Sequence, residues 1–452
     1  MPAYYLENFG CRATQADGGA IEAELLGAGL SRHEAATLAD VAVLNTCTVT
    51  ASADSDARAA IRRIHRENPE CKIMVTGCYA QRAPAEIAAL PGVTWVVGNS
   101  HKSLVAKIAA ASFVSDSNAR NFVSLDQLRN LSLDDSRMLV GDIFAHTELL
   151  AAPVFESLEQ SQRTRPNLKV QDGCNNRCSF CVIPFVRGHN RSLALESVLR
   201  EVDALVTAGY RETVISGINL GRWGRDFATP TRFENLLRSI LEQTSIERVR
   251  ISSVEPMDWS EELIDLVAGS PRICKHAHIP LQSGSDRVLR MMHRRYRPWH
   301  YAERIEKIRA AMPDAAIGAD VMVGFPGETE ELFEESRDFI ENLPLTYLHV
   351  FTYSSRPGTA AAAMPGHVPV QVARQRNEIL RELIAKKNLA FRESFVGKRL
   401  EAITLHSRND GFTESLTNNF VKLRISGTHA ANQLLVAEVA VVNGDGLQGQ
   451  RL

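Results

Sequence analysis

Short apolar runs that end in polar turns alternate with helical stretches along most of this chain. Within the first 110 residues, the runs 42–45 and 73–78 have the character of buried strands, and 4–11 is a weaker example. Helical stretches lie between them at 19–26 and 53–66. Because strands alternate with helices, the pattern predicts a parallel sheet within an α/β fold.

Cysteines occupy the turns after these three predicted strands, at Cys11, Cys47 and Cys78. Ligands gather at the carboxyl ends of parallel strands, so the three thiols are expected to converge at one edge of the sheet. The alternative is that they are buried small hydrophobic residues, as free cysteines often are. Cys71 and Cys274 match no such position and are interpreted as structural.

The same alternation returns on a larger scale after residue 166. Six further runs have the pattern of strands: 168–171, 213–216, 249–252, 277–279, 317–323 and 347–351. Amphipathic stretches separate them, among them 192–208, 232–241 and 329–341. Six successive strand–helix units predict a partial TIM-type (β/α)6 barrel, whose active site would lie at the carboxyl ends of its strands.

Three cysteines follow the first of these strands in a C-x3-C-x2-C run, at Cys174, Cys178 and Cys181. A structural zinc site closes its shell with four protein ligands. A four-iron cluster held by three cysteines leaves one iron open to another ligand. The spacing therefore favours a reaction centre, and the alternative is a zinc site for which His189 is the nearest fourth ligand.

The last 60 residues change character again and carry β-like runs at 399–405, 420–425 and 434–442. These runs predict a small antiparallel β-barrel. The chain is thus divided into four predicted segments: an α/β domain (1–110), a linker (111–165), the (β/α) barrel (166–392) and the small β-barrel (393–452).

Composition is that of a soluble globular protein, with 44% hydrophobic and 23% charged residues. No run reaches the roughly 18 apolar residues of a membrane span, so no membrane association is expected. The first residues lack the pattern of a signal peptide, which predicts the cytoplasm, where thiols stay reduced. With a net charge of -2, any nucleic-acid contact must come from local basic patches.

The most basic stretch is 287–297, which has five arginines and no acidic residue. It is either a solvated helix end or a contact for RNA phosphates, with Tyr296 or Trp299 available for base stacking. Arg187 and Arg191 are candidates to face a cofactor or RNA. A further group on one predicted helix is interpreted as a solvated face: Arg62, Arg63 and Arg66.

The run Cys174-x3-Cys178-x-Phe180-Cys181 resembles the cluster motif of the radical S-adenosylmethionine enzymes. The three upstream cysteines and the C-terminal barrel are similar to those of the methylthiotransferases. The branch that it resembles most acts on N6-threonylcarbamoyladenosine in tRNA. The segments that carry this resemblance are 45–50, 75–81, 165–178, 278–285, 320–329 and 353–359.

This resemblance implies a tRNA methylthiotransferase that replaces hydrogen with a methylthio group at C2 of the modified adenosine next to the anticodon. S-adenosyl-L-methionine would be both radical source and methyl donor, and the two cysteine trios would hold two [4Fe-4S] clusters, whose chemistry lies beyond ordinary side chains. The implied partners are tRNA, a flavodoxin- or ferredoxin-like electron donor and a sulfur source. The C-terminal segment would be a TRAM-like RNA-binding barrel.

Binding residues for S-adenosylmethionine follow from the same resemblance, at the ends of successive strands. They are Phe180, Ser216, Gly217, Asn219, Ser253, Glu255, Gln282 and Asp320.

Alternatives to this function remain open from the residues. Within the family, the substrate could be isopentenyl-adenosine in tRNA or an aspartate of a ribosomal protein. From a different class, the chain could be a non-catalytic RNA-binding protein with structural zinc.

Overall fold

The computed structural model describes residues 1–113, 137–146, 149, 164–407, 411–444 and 446–452. Most of the predicted linker, 111–165, lies outside these residues, and the four segment boundaries stay predictions. The chain forms two compact units, the first of which combines Met1–Val154 with Asp172–Asn176 and Cys181–Arg191. In the described part of the chain, no helix is long and apolar enough to cross a bilayer.

The first unit is built on a six-stranded parallel sheet with the order β2-β1-β3-β4-β5-β6. Its strands are β1 Ala3–Asn8, β2 Ser31–Arg32, β3 Val41–Thr46, β4 Lys72–Gly77, β5 Val93–Gly98 and β6 Met138–Leu139. Its larger helices are α1 Arg12–Gly27, α2 Ala51–Glu67, α3 Cys78–Arg82, α4 Pro84–Ala88 and α5 Val105–Ala111. The predicted parallel α/β fold is confirmed.

The packing of the central strand β3 explains why its apolar residues follow one another without a break. Val41 and Val43 pack on one face of the sheet with α1 and α5. Ala42 and Leu44 pack on the other face with α2 and α4. A parallel strand covered by helices on both sides has no solvent face, so its hydrophobic residues run continuously instead of alternating with polar ones.

The second unit contains two sheets, β10-β9-β7-β8 and β11-β12-β13. The pairs β10–β9, β9–β7, β11–β12 and β12–β13 are parallel. The strands are β7 Asn167–Asp172, β8 Arg191–Ser192, β9 Glu212–Gly217, β10 Arg248–Ile251, β11 His276–His278, β12 Ala316–Val323 and β13 Tyr347–Thr352. The next helix along the chain, α6 Ile183–Arg187, belongs to the first unit. The helices of the second unit are α7 Leu195–Thr207, α8 Phe233–Gln243, α9 Glu261–Gly269, α10 Asp286–Met291, α11 Pro298–Ala311, α12 Glu330–Asn342 and α13 Val370–Glu393.

All six strands predicted after residue 166 occur, as β7 and β9–β13. Their outward residues build the largest core, which includes the fully buried Trp223 and Trp259. Side-chain caps fix two of the helix starts: Ser260 accepts from the Leu263 amide, and Thr329 caps α12 in the same way. The predicted helix 192–208 begins later, at Leu195, because Arg191–Ser192 pairs as β8.

The C-terminal strands close into a five-stranded barrel, β14-β15-β16-β18-β17. They are β14 Arg399–Ser407, β15 Phe412–Thr417, β16 Lys422–Ser426, β17 Leu434–Asn443 and β18 Gly446–Arg451. Four of the pairings are antiparallel, and β16–β18 is parallel. A closed ring with an odd number of strands cannot alternate direction throughout, so the predicted barrel must contain one parallel pair.

A buried arginine fastens this barrel to the (β/α) strands of the same unit. Arg250 of β10 is 0% exposed and donates from Nε to Glu212 at 2.9 Å. Its Nη2 also donates to the carbonyl oxygen of Thr417 in β15, at 3.1 Å. A guanidinium has the fork geometry needed to bind a carboxylate and a carbonyl at once.

We expect Arg250→Met to lower the free energy of unfolding of the second unit by about 3 kcal/mol, because it leaves the buried Glu212 without its nearest partner. Arg238→Met is the matched control, since Arg238 and Glu262 form an exposed ion pair worth at most about 1 kcal/mol. Thermal and urea unfolding followed by circular dichroism measures both variants. Equal, small losses in the two would contradict the importance of this buried pair.

Candidate functional site

The first cysteine trio lies at the carboxyl ends of three adjacent strands. Cys11 is the N-cap of α1 and follows β1, Cys47 follows β3 directly, and Cys78 is the first residue of α3 after β4. Since β1, β3 and β4 are neighbours in the sheet, the expected convergence at one edge occurs.

The chemistry of these thiols fits a bound metal cluster. Cys47 and Cys78 are buried, and Cys11 is exposed. Burial, together with the charges of Cys78 and Cys11, raises the pKa of Cys47 to about 12. Thiols that oppose one another's ionisation are stabilised by a shared metal centre, which binds them as thiolates. Asn99 lies 3.5 Å from Cys78 Sγ through Nδ2, a donor suited to a ligating sulfur.

Gly10 provides the space for Cys47. Its φ is +98°, and an added Cβ would lie 2.4 Å from Cys47 Cβ and 2.7 Å from Cys47 Sγ. Any larger residue at position 10 would therefore displace the Cys47 side chain. The backbone conformation also favours glycine.

The second trio lies in the loop between β7 and α6. The Cys174 amide donates to the Gly188 carbonyl at 3.1 Å, and the Asn176 amide donates to Cys174 Sγ at 3.4 Å. Gly173 permits this turn, because its φ is +70° and an added Cβ would lie 1.9 Å from the carbonyl oxygen of His189. Three thiols within eight residues, one of them accepting a backbone N–H, fit the donor set of an iron–sulfur cluster.

Arg294 is the closest charged neighbour of Cys178 that sequence reasoning missed. Its Nη1 donates to Cys178 Sγ at 3.2 Å, and its Nη2 pairs with Glu255. Burial would lower the pKa of Arg294, but Tyr296, Glu255 and Cys178 raise it well above its usual value. Glu255, one of the residues predicted to bind S-adenosylmethionine, thus holds the arginine that contacts this cysteine.

Tyr296 is too buried for the base stacking predicted from the sequence. It is 1% exposed, and its hydroxyl donates to the carbonyl oxygens of Pro280 and Leu281. A buried, hydrogen-bonded phenol cannot stack on a nucleic-acid base, so the prediction of stacking by Tyr296 is wrong.

The other residues predicted to bind S-adenosylmethionine lie at the ends of neighbouring strands in the second unit. Ser216 and Gly217 end β9, and the Asn219 amide that follows donates to Gln171 Oε1 at 2.7 Å. Ser253 follows β10. Beyond the last residue of β11, Gln282 has a φ of +66° and donates its amide to the Asp320 carbonyl at 2.8 Å.

The remaining predicted residue, Phe180, packs in a small apolar cluster of this unit with Val288, Met292 and Phe325. Its aromatic side chain therefore anchors the loop that carries the cysteines. Whether any of these side chains contacts the cofactor stays a prediction.

Asp320 belongs to a polar group that the sequence did not reveal. His278 Nε2 lies 3.1 Å and His349 Nδ1 3.3 Å from its two carboxylate oxygens. Burial alone would raise the pKa of Asp320, but the hydrogen bonds from both histidines hold it well below its usual value. The three residues come from β11, β12 and β13 in turn, so they form one layer across these strands.

The two cysteines interpreted as structural are buried in cores. Cys71 packs in the core of the first unit, and burial raises its pKa to about 11. Cys274 is 2% exposed, and burial raises its pKa to about 12. Both thiols are therefore protonated at neutral pH.

One of the two arginines that follow the second trio is too buried for a contact with RNA. Arg187 is 2% exposed, so an RNA contact at this residue is wrong. Arg191 donates to the carbonyl oxygens of Arg187 and His189. The three arginines interpreted as a solvated face are indeed exposed on α2: Arg62, Arg63 and Arg66.

We expect Gly10→Ala to remove about half of the iron bound by the anaerobically purified protein, because the new methyl group displaces Cys47. Gly29→Ala is the matched control: its φ of +84° gives similar backbone strain, but nothing lies within 4 Å of its Cβ position. Iron analysis per chain distinguishes the two. Full iron content in Gly10→Ala would refute the role of this position.

Two family models match the chain. The Radical SAM superfamily matches residues 168–340, and Uncharacterized protein family UPF0004 matches residues 3–98. The solved structure of the radical S-adenosylmethionine methyltransferase TsrM from Kitasatospora setae has a TM-score of 0.54 and 15% identity, and the match covers 83% of this chain and 76% of that one. At that identity the likeness supports the fold alone.

Full-length relatives are more similar. The threonylcarbamoyladenosine tRNA methylthiotransferase MtaB of Aquifex aeolicus (strain VF5) is 35% identical over 95% of this chain and 98% of its own. MtaB of Bacillus subtilis (strain 168) is 37% identical over 95% and 91%. A tRNA-2-methylthio-N(6)-dimethylallyladenosine synthase of Syntrophobacter fumaroxidans (strain DSM 10017 / MPOB) is 34% identical over 86% and 83%. The chain belongs to the radical S-adenosylmethionine tRNA methylthiotransferases.

Proposed function

We propose that this protein methylthiolates C2 of N6-threonylcarbamoyladenosine next to the anticodon of tRNA. The observation that carries the proposal is the similarity over nearly the whole chain to two proteins named for that activity, at 35% and 37% identity. The dimethylallyladenosine synthases are the specific alternative, because one of them is 34% identical.

The cofactors of this family are S-adenosylmethionine and [4Fe-4S] clusters. When bound, they supply the radical chemistry needed to activate an aromatic C–H bond, which no side chain provides. We assign one cluster to Cys174, Cys178 and Cys181. The chain itself contributes N–H donors to these sulfurs, from Asn176 and from Arg294.

We assign the second cluster to Cys11, Cys47 and Cys78. Three cysteine ligands would leave one iron of each cluster free for another ligand, S-adenosylmethionine at the second trio and the transferred sulfur at the first. The buried position of Cys47 and Cys78 supports a protected site, and the exposed Cys11 supports access from outside.

For the tRNA, a basic surface around α10 and α11 is the favoured contact. Arg287 and Arg295 are exposed and make no ion pair within the described residues, while Arg290 and Arg297 share Asp286. Trp299 is 57% exposed, which is unusual for so large an apolar side chain. Free guanidinium groups beside an exposed indole suit phosphates and unstacked bases.

The other partners are proposals from family membership. A low-potential electron donor of the flavodoxin or ferredoxin type would reduce the cluster at the second trio, and a separate sulfur source would resupply the first. A tRNA-modifying enzyme with reduced cysteines would work in the cytoplasm.

Purified protein with reconstituted iron should convert tRNA bearing N6-threonylcarbamoyladenosine, but not tRNA bearing isopentenyl-adenosine, to the methylthio product. Mass spectrometry of the nucleosides measures this. Cys174→Ala should abolish cleavage of S-adenosylmethionine, and Cys47→Ala should retain cleavage but form no product. Cys71→Ala, a buried cysteine outside both trios, is the control and should behave as wild type.

Preference for the isopentenyl substrate would replace the proposed substrate with the alternative. Normal product formation by Cys47→Ala would refute the assignment of the second cluster. Zinc in place of iron in the protein as purified would refute the proposed enzyme activity.

Arg287→Gln/Arg295→Gln should weaken tRNA binding and reduce the log–log salt slope by about 2, because each lost phosphate contact removes about one unit. Trp299→Ala should weaken binding by about 1–3 kcal/mol without changing that slope. The control is Arg62→Gln/Arg66→Gln, which removes two exposed arginines from α2. Filter binding at several salt concentrations tests this, and an equal effect of the control pair would contradict a localised surface.

A further inference from the structure

Arg187 is a charged residue that the proposed chemistry leaves unexplained. It is the last residue of the short helix α6, six positions after Cys181, and its side chain is 2% exposed. Guanidinium groups stay charged inside proteins, and an isolated buried charge is strongly unfavourable. The neighbours of Arg187 must therefore account for its position.

Two carboxylates flank the guanidinium in the first unit. Nη1 of Arg187 donates to both oxygens of Asp172 at 3.0 Å, and Nη2 donates to Asp17 Oδ2 at 2.9 Å. The buried Lys102 donates to the same oxygen of Asp17 at 2.8 Å. In the part of the chain that the structure describes, these two cations and two carboxylates balance in charge.

The same guanidinium faces the first cysteine trio. Arg187 Nη2 lies 3.5 Å from Thr14 Oγ1, which lies 3.6 Å from Cys11 Sγ. Burial would lower the pKa of Arg187, but the charges of Asp172, Cys78, Asp17 and Cys11 raise it well above its usual value. The charge of Arg187 also favours the ionised form of Cys47. All three thiols thus interact with this one cation.

A second route joins α6 to the trio. Asn99 Nδ2 donates to the Val186 carbonyl at 2.8 Å and lies 3.5 Å from Cys78 Sγ. Val182 and Val186 pack against Cys78 in a small apolar cluster. The helix that follows the second trio therefore supplies both charge and packing to the first.

We propose that Arg187 is a positioning residue of the first trio, and that its buried positive charge raises the reduction potential of the iron–sulfur cluster held there. The inference rests on the proposed cluster at Cys11, Cys47 and Cys78. One-electron reduction adds a negative charge to the cluster, so a cation within the same buried environment stabilises the reduced form more than the oxidised form. The shift in reduction potential is larger where solvent is excluded, and Arg187 is buried.

The test uses the full chain with Cys174, Cys178 and Cys181 each replaced by alanine, so that only the cluster at Cys11, Cys47 and Cys78 contributes. Its midpoint potential is measured by redox titration with electron paramagnetic resonance, together with iron content. Asp172→Asn should shift the potential upward, because it removes a negative charge. Asp172→Asn/Arg187→Gln, which restores zero net charge to the network, should shift it below the value of Asp172→Asn.

Arg187→Lys keeps the charge and should keep the potential near that of the parent, whereas Arg187→Gln should lower it or lose iron. Arg63→Gln is the control, because Arg63 forms an exposed pair with Glu7, and it should change nothing. A double variant with the same potential as Asp172→Asn would overturn this inference alone. Absence of any cluster from the parent protein would overturn the proposed second cluster as well.

Discussion

Burial of both faces of the first unit's parallel sheet is the constraint that places its polar and ligating groups. Helices cover β3 and its neighbours on both sides, so no polar side chain fits along the middle of these strands. The carboxyl ends are the places where polar and ligating groups can gather. Both cysteine trios follow strands for this reason, one after β1, β3 and β4 and the other after β7.

Features that depend on local pattern were predictable from the sequence. Apolar runs and their polar ends located the strands, and the strand ends located Cys11, Cys47 and Cys78 before any coordinates. A small C-terminal barrel was predicted from three β-like runs, but its five strands and its parallel pair were not, because that pair follows from closure of an odd ring. The strand β8 was also missed, since two residues give no periodicity.

Features that depend on distant pairing were not predictable. Arg187 and Asp17 are 170 residues apart in the chain, and Arg294 and Glu255 are 39 apart. From the sequence, Arg294 was part of the basic stretch 287–297 and Arg187 was a candidate to face a cofactor or RNA, because arginines are usually exposed. The prediction of base stacking by Tyr296 was wrong for the same reason. The sequence of its segment does not show that this tyrosine packs into the core of the second unit.

The bond between Arg187 and Asp172 has a consequence for the loop that carries the second trio. These residues stand 15 positions apart and bracket the whole C-x3-C-x2-C run. The ion pair between them joins the two ends of that loop without any metal. Part of the entropy cost of closing the loop is therefore met when the chain folds, and not when a metal would bind. Unlike a zinc finger, which folds only with its metal, this loop presents its thiols from an already folded base. A cluster held at this loop would be inserted between chain ends that the protein already fixes.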